Sequence, residues 1–230
     1  MLAALLTLPK VPLFKVAATL TLLATMAAAP LRDDPKKLVL FDGKTLDGWK
    51  VADFYKPGEV KVEDGAIVML AGPRMSGVTS TRMDIPKVNY ELTYEAKKIE
   101  GKDFFAAATF PVKDSHITLV NGGWGGFVTG LSSLGGADAS ENETTESIKY
   151  ELKTWYKFRV QVTDKVIRYW IDDKPIKAVD YTGRKVGTRT ETNANKPLGF
   201  ATYETTGAVR KIEIRALTQA EIETANKIEE

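Results

Sequence analysis

Three stretches of this chain alternate apolar and polar side chains with a period of two. Tyr90, Leu92, Tyr94 and Ala96 interleave with Asn89, Glu91, Thr93 and Glu95. Tyr156, Phe158, Val160 and Val162 interleave with Lys157, Arg159 and Gln161, and Ile167, Tyr169 and Ile171 with Arg168, Trp170 and Asp172. An extended backbone points successive side chains to opposite faces, so each stretch has one oily face that needs a second layer to cover it. Turn signals lie between such stretches: Asp42-Gly43, Asp47-Gly48, Asp172-Asp173 and Thr206-Gly207. Short amphipathic strands separated by tight turns predict an all-β, two-sheet sandwich. Helical patterning enters only at the end, where Thr218-Gln-Ala-Glu221 has the spacing of a capping box before Ile222 and Ala225, predicting a short terminal helix. No internal repeat or second domain is visible. Arg184–Lys196 is polar and reads as a long surface loop.

The N-terminus has a different character. Lys10 and Lys15 precede the uncharged run Val16–Ala29, which ends in Ala27-Ala28-Ala29 before Pro30. Positive flank, short apolar run and small-residue exit are the parts of an export signal. An uncleaved anchor is the other reading, but Val16–Leu31 is 16 residues, short of the ~20 that span a bilayer. Residues 1–29 are therefore expected to be a signal peptide, with cleavage leaving a start between Ala28 and Leu31, and 30–37 a charged linker. The expected location is periplasmic or secreted. Of the 32 Lys and Arg, two fall in this leader, and the rest match the 30 Asp and Glu in number. So even a balance offers no electrostatic footprint for nucleic acid, or for a membrane once the leader is gone. The chain has no cysteine, which excludes disulfides, thiolate metal sites and a cysteine nucleophile.

Downstream of the linker, Leu38–Phe41 is a short apolar strand running into the turns at Gly43 and Gly48 and then Trp49, a ring expected to fold onto the core. The segment Leu40-Phe-Asp-Gly-Lys-Thr-Leu-Asp-Gly-Trp49 closely resembles the opening of the 3-keto-disaccharide hydrolase domain family, formerly a domain of unknown function. Val62–Val68, Tyr90–Ala96, Trp155–Val162 with Ile167–Asp173, and Leu198–Leu217 are similar too. The resemblance implies a concanavalin A-like jelly roll over 38–217, with 218–230 as C-terminal helix and tail. It also implies cleavage of a glycoside already oxidised at C3, where the ketone acidifies the C2 proton and the aglycone leaves by elimination. That chemistry needs a base, an acid for the leaving oxygen and donors for the enolate. Three segments depart from the family pattern: Phe104-Phe105-Ala106-Ala107, Phe127-Val128-Thr129-Gly130 and Ala201-Thr202-Tyr203-Glu204. None of the family's polar site residues transfers by motif.

Candidate site residues therefore come from the chain's own chemistry, most of them between His116 and Thr145. His116 is the lone histidine, a general base near neutral pH or else a structural side chain. Trp124, between Gly122-Gly123 and Gly125-Gly126, offers a flat face for a sugar ring if exposed, or folds back over the sandwich. Asp138, Ser140, Glu141, Asn142 and Glu143 form a polar cluster without the spacing of a calcium loop, and a solvated loop is expected rather than a metal site. Arg168 and Trp170 share a strand face and could line a groove or pair with each other. As an enzyme, the chain would use His116 or Glu143 as base, Glu204 or Glu141 as acid, and Asn121 and Asn142 as donors. As a binding module, it would use Trp124, Trp170 and the asparagines without turnover. A phosphate loop, dinucleotide fingerprint, paired-histidine zinc motif and nucleophile elbow are absent. The expectation is an exported carbohydrate-active protein with a saccharide ligand and no cofactor, a hydrolase or lyase on 3-keto-glycosides, or alternatively a non-catalytic carbohydrate-binding module.

Overall fold

The computed structural model describes residues 35–228; the expected leader lies outside the described residues. In chain order the strands are β1 (Leu38–Val39), β2 (Trp49–Val51), β3 (Val60–Glu63), β4 (Ala66–Met69), β5 (Met75–Ser80), β6 (Tyr90–Glu100), β7 (Ala107–Val112) and β8 (Ser115–Gly123). They continue with β9 (Val128–Ser132), β10 (Glu146–Ser147), β11 (Trp155–Val162), β12 (Val166–Ile171), β13 (Lys174–Asp180), β14 (Gly199–Tyr203) and β15 (Thr206–Ala216), before the helix α1 (Gln219–Ala225). Eight strands make one sheet, in the order β13-β12-β11-β6-β15-β4-β3 with β1 also on β15. Seven make the other, in the order β10-β9-β8-β7-β14-β5-β2. This is the jelly-roll sandwich, antiparallel throughout.

The period-two stretches became the central strands. Tyr90, Leu92, Tyr94 and Ala96 of β6 point inward beside Phe158, Val160 and Val162 of β11, and all are buried. Tyr94 stacks on Phe158 with ring centroids 5.0 Å apart, and Phe200 of the opposite sheet meets Tyr94 edge-on at 4.9 Å. This aromatic contact joins the layers, and such pairs add to simple burial because ring edges and faces carry opposite partial charge. Trp49 is buried as expected, and its indole N–H donates to the Leu40 carbonyl at 2.7 Å. Asp42 shapes the turn before it by accepting from the Lys44 and Thr45 amides at 2.7 and 2.8 Å, and Gly43 supplies φ +78°.

Two expectations shift. The turn placed at Thr206-Gly207 falls earlier, at Glu204-Thr205, with Glu204 at φ +45°. Gly207 instead lies inside β15, where an added Cβ would sit 1.8 Å from the Phe105 carbonyl, so the glycine permits close approach of the layers rather than a turn. Arg184–Lys196 is not a free surface loop. It contains a 3-10 helix at Thr190–Asn195, and Thr192 and Asn195 are buried against the seven-stranded sheet. The terminal helix forms as expected. Thr218 accepts from the Glu221 amide at 3.3 Å, and Glu221 accepts from the Thr218 amide at 2.8 Å, so both orphan donors of the capping box are used.

Candidate functional site: a groove across the seven-stranded sheet

On the seven-stranded sheet, Ile117, Leu119, Leu131, Ala108, Phe110, Phe200 and Val78 fill the core. Alternation turns their neighbours outward: Thr118 and Val120 of β8, Gly130 and Ser132 of β9, Ala107 and Thr109 of β7, Gly199 and Ala201 of β14, Gly77 and Thr79 of β5. No side chain on this floor is larger than valine and none titrates. Two glycines are needed because other segments lie directly on them. A Cβ at Gly199 would approach the Asn195 carbonyl to 2.7 Å, and one at Gly130 would approach the Thr144 carbonyl to 2.9 Å.

Two walls rise from the floor. The first is the segment around the 3-10 helix. Asn195 donates its amide to the Val78 and Phe200 carbonyls at 3.0 and 3.1 Å, and the Thr79 hydroxyl donates to the Lys196 carbonyl at 3.0 Å. These bonds anchor the segment on one row of the floor and leave Arg189, Thr190, Glu191 and Asn193 lining the opening. Arg189 spans Asp138 at 2.5 Å and Glu191 at 3.2 Å, and that guanidinium holds the Glu191 carboxyl below the usual carboxylate range.

The second wall is aromatic. Met75, Phe104, Trp124 and Tyr203 line it, with Phe104 and Tyr203 rings 5.9 Å apart. Trp124 stands 43% exposed in a left-handed turn, φ +50°, followed by Gly125 at φ +82° and Gly126 at φ +109°. Asp103 holds this turn: one carboxylate oxygen accepts from the Gly125 amide at 2.9 Å, the other from the Phe104 amide at 2.8 Å. Asp53, Phe54, Tyr55 and Arg74 complete the lining of a groove of ≈ 760 Å³, inside the range that suits a small-molecule or glycan ligand.

Of the residues singled out from sequence, only Trp124 lines this groove. His116 is on the same face of β8, past Thr118, where it is half-buried. Burial first, then the charges of Lys196 and Lys87, push its pKa down, so the ring is neutral at pH 7. Asn121 points the other way, wholly into the core, and neither atom of its amide has a partner. It shares the inward phase of Ile117 and Leu119, so it cannot donate to a ligand on the outer face. Asn142 is consumed by its own loop: its amide donates to the carbonyls of Leu131, Ala137 and Asp138, and its oxygen accepts from the Thr144 amide and hydroxyl. Glu143 is exposed and paired with Arg184, which lowers its pKa. Glu141 is exposed on the same loop, and Glu204 is exposed at the β14–β15 turn beside groove-lining Tyr203.

Arg168 and Trp170 belong to the opposite layer, on the outer face of the eight-stranded sheet. Arg168 donates to the Ala225 and Lys227 carbonyls at the end of α1. Trp170 is covered by Arg159, 3.7 Å from its ring centre, rather than by Arg168. Among the described residues, no group of three or more His, Asp or Glu gathers as metal ligands would.

What sequence reasoning passed over is the groove itself, yet a signal was present. The three segments that depart from the family pattern contribute Phe104 and Ala107, Gly130, and Ala201 and Tyr203, which are floor and wall residues.

The architecture is a two-sheet jelly roll with an open groove across one sheet. The chain belongs to the 3-keto-alpha-glucoside-1,2-lyase-like domain family, whose model matches residues 36–215. No curated protein sequence is close enough to count as a relative. Among solved structures, a glycosyl hydrolase family protein from Mycobacterium fortuitum is similar with a TM-score of 0.50 and 14% identity, over 78% of this chain and 98% of that one. The carbohydrate recognition domain of Emp47p is similar with a TM-score of 0.51 and 10% identity, over 79% of this chain and 95% of that one. The Crh5 transglycosylase in complex with NAG is similar with a TM-score of 0.51 and 10% identity, over 80% of this chain and 84% of that one. At these identities the likeness is one of fold.

Proposed function

We propose that the protein is exported and binds a saccharide in the groove, with recognition rather than bond cleavage as its main task. The observation that carries this reading is the make-up of the groove: an aromatic wall of Phe104, Trp124 and Tyr203 faces a polar wall of Arg189, Thr190, Glu191 and Asn193, over a floor without a titratable group. Rings stack the C–H faces of a sugar, and the polar wall exchanges hydrogen bonds with its hydroxyls. The wall charges are largely committed. Asp103 accepts two backbone amides and Arg189 bridges two carboxylates, which suits positioning better than proton transfer.

Elimination on a 3-keto-glycoside is the second reading, favoured by the family match over residues 36–215. Within the groove, the base and acid would come from Asp53, Asp103 and Glu191 rather than from His116, Glu143 or Glu204. One experiment separates the two. The purified protein is titrated calorimetrically with saccharides and, in parallel, incubated with a chromogenic 3-keto-glucoside. Binding without aglycone release supports recognition. Release that falls by roughly 10²–10⁴ in Asp53→Asn or Asp103→Asn, the usual general acid–base contribution, establishes the lyase instead. Export is tested by sequencing the N-terminus of the protein from its native host, which should start between Ala28 and Leu31; an intact Met1 would refute it.

A further inference from the structure

The aromatic wall is long, and it runs across the strands rather than along them. Groove-lining residues come from six neighbouring strands in spatial order: Ser132 on β9, Val120 on β8, Ala107 on β7, Tyr203 on β14, Met75 on β5, and Tyr55 just beyond β2. Adjacent strands are about 4.8 Å apart. From Trp124, beyond β8, to Tyr55, beyond β2, is four strand steps, or roughly 19 Å at that spacing. Such a distance is about twice the length of a disaccharide. Both ends of this span carry exposed rings, Trp124 at 43% and Tyr55 at 73%, and Phe104 and Tyr203 lie between them.

The centre of the floor between these ends is low. Ala201, Ala107 and Val120 follow one another from strand to strand along a single row, with the Phe54 ring over Gly77 beside them toward the Tyr55 end, and none of the three projects far enough to close the groove into a pocket for one ring. A terminal-sugar site needs such a barrier. A site for an internal stretch of chain needs it absent, with stacking surfaces repeated along its length.

From this geometry we propose that the groove takes an oligosaccharide segment longer than a disaccharide, laid across the strands, with Tyr55 forming a subsite at the end remote from Trp124. This rests on the saccharide reading of the groove and adds the length and orientation of the ligand. Sugar units stacked at Trp124 and over Phe104 and Tyr203 would contribute at every chain length, whereas only longer ligands reach Tyr55.

The test is affinity against chain length. Glucan, mannan, xylan and galactan fragments of about two to six units are titrated into wild type, Trp124→Ala and Tyr55→Ala, taking each binding series as a ladder. Affinity in wild type is expected to rise about tenfold or more between two and four units, the equivalent of ~1.4 kcal/mol. Tyr55→Ala should erase that rise while leaving the two-unit ligand unchanged, and Trp124→Ala should weaken every length. Tyr55 is mostly exposed, so its removal leaves folding intact; an unchanged thermal midpoint verifies this. Equal affinity for two and four units, or an equal loss at all lengths in Tyr55→Ala, overturns the proposal while the saccharide reading survives. No binding by any fragment of any length overturns both.

Discussion

Outside the eight-stranded sheet, Glu91 is 6% exposed and accepts hydrogen bonds from Gln161 at 2.7 Å and Arg215 at 3.0 Å, with Arg159 at 3.4 Å. Glu95 takes Arg210 and Lys211, both at 2.7 Å. Arg210 and Lys97 lie over Trp155 at 4.0 and 4.6 Å. Arg215 reaches on to Glu221, whose pKa it lowers to about 2, and so clamps α1 to the sheet. At the centre of the seven-stranded sheet the outward positions include Gly77, Thr79, Ala107, Thr109, Gly130, Gly199 and Ala201. One outer face is filled with long side chains that satisfy one another. The other has small side chains at its centre and is bordered by the rings of Phe104, Trp124 and Tyr203. Both point away from the core by the alternation rule, so the outer side of a strand does not by itself reveal a ligand site. Side-chain size and the presence of reciprocal partners tell the two faces apart.

Three substitutions break or sharpen this contrast. The largest effect is expected from Glu91→Ala, which leaves Arg215 and Arg159 without the carboxylate that joins them. The loss is about 3 kcal/mol, toward the lower end for breaking a buried ion pair because both arginines keep some solvent contact. Urea unfolding should show it while ligand affinity stays at the wild-type value; a loss below about 1 kcal/mol, the level of a surface pair, would mean the network is decoration.

Trp124→Ala should give the reverse pattern. Its ring is partly exposed and outside the core cluster, so the unfolding midpoint should hold. Saccharide affinity should drop by about 1–3 kcal/mol, the scale for losing a large buried side chain. If stability falls and affinity does not, the ring serves the fold and the groove reading loses its main contact.

The smallest effect concerns His116. Its pKa is lowered from 6.5 in the folded chain by burial and by Lys196 and Lys87. The unfolded chain therefore takes up a proton near pH 6.5 while the folded chain still resists it. In that window the unfolded state holds more protons, so stability falls as pH drops. His116→Gln should flatten this acid slope below about pH 7 without altering ligand binding. A slope unchanged in the variant would assign the acid response to the carboxylates.

Much of the fold was legible. Period-two alternation in Tyr90–Ala96 and Trp155–Val162 fell on central strands, and Thr218 and Glu221 made the capping box their spacing announced. The site was much less so. Trp124 was singled out because glycine pairs on both sides leave little bulk around its indole, and it is the one of the candidate residues that lines the groove. Asn121, Asn142 and Arg168 were chosen for their chemistry. Their sequence neighbours carry no information on whether an amide faces the core, is used up by five bonds within its own loop, or caps a helix fifty-seven residues away.

Sequence alone therefore determined the layers: which residues alternate, where several of the tight turns fall, and that one short helix closes it. These are local properties, set by side-chain phase and by glycine at positive φ. Only the tertiary structure decided that Phe104, Trp124, Tyr203 and Tyr55 share one groove, and that the segment before Lys196 lines it too. Strands adjacent in the sheet are distant in the chain, as β14 is from both β5 and β7. A groove that crosses strands is therefore assembled from residues whose proximity exists only once the pairing register is set.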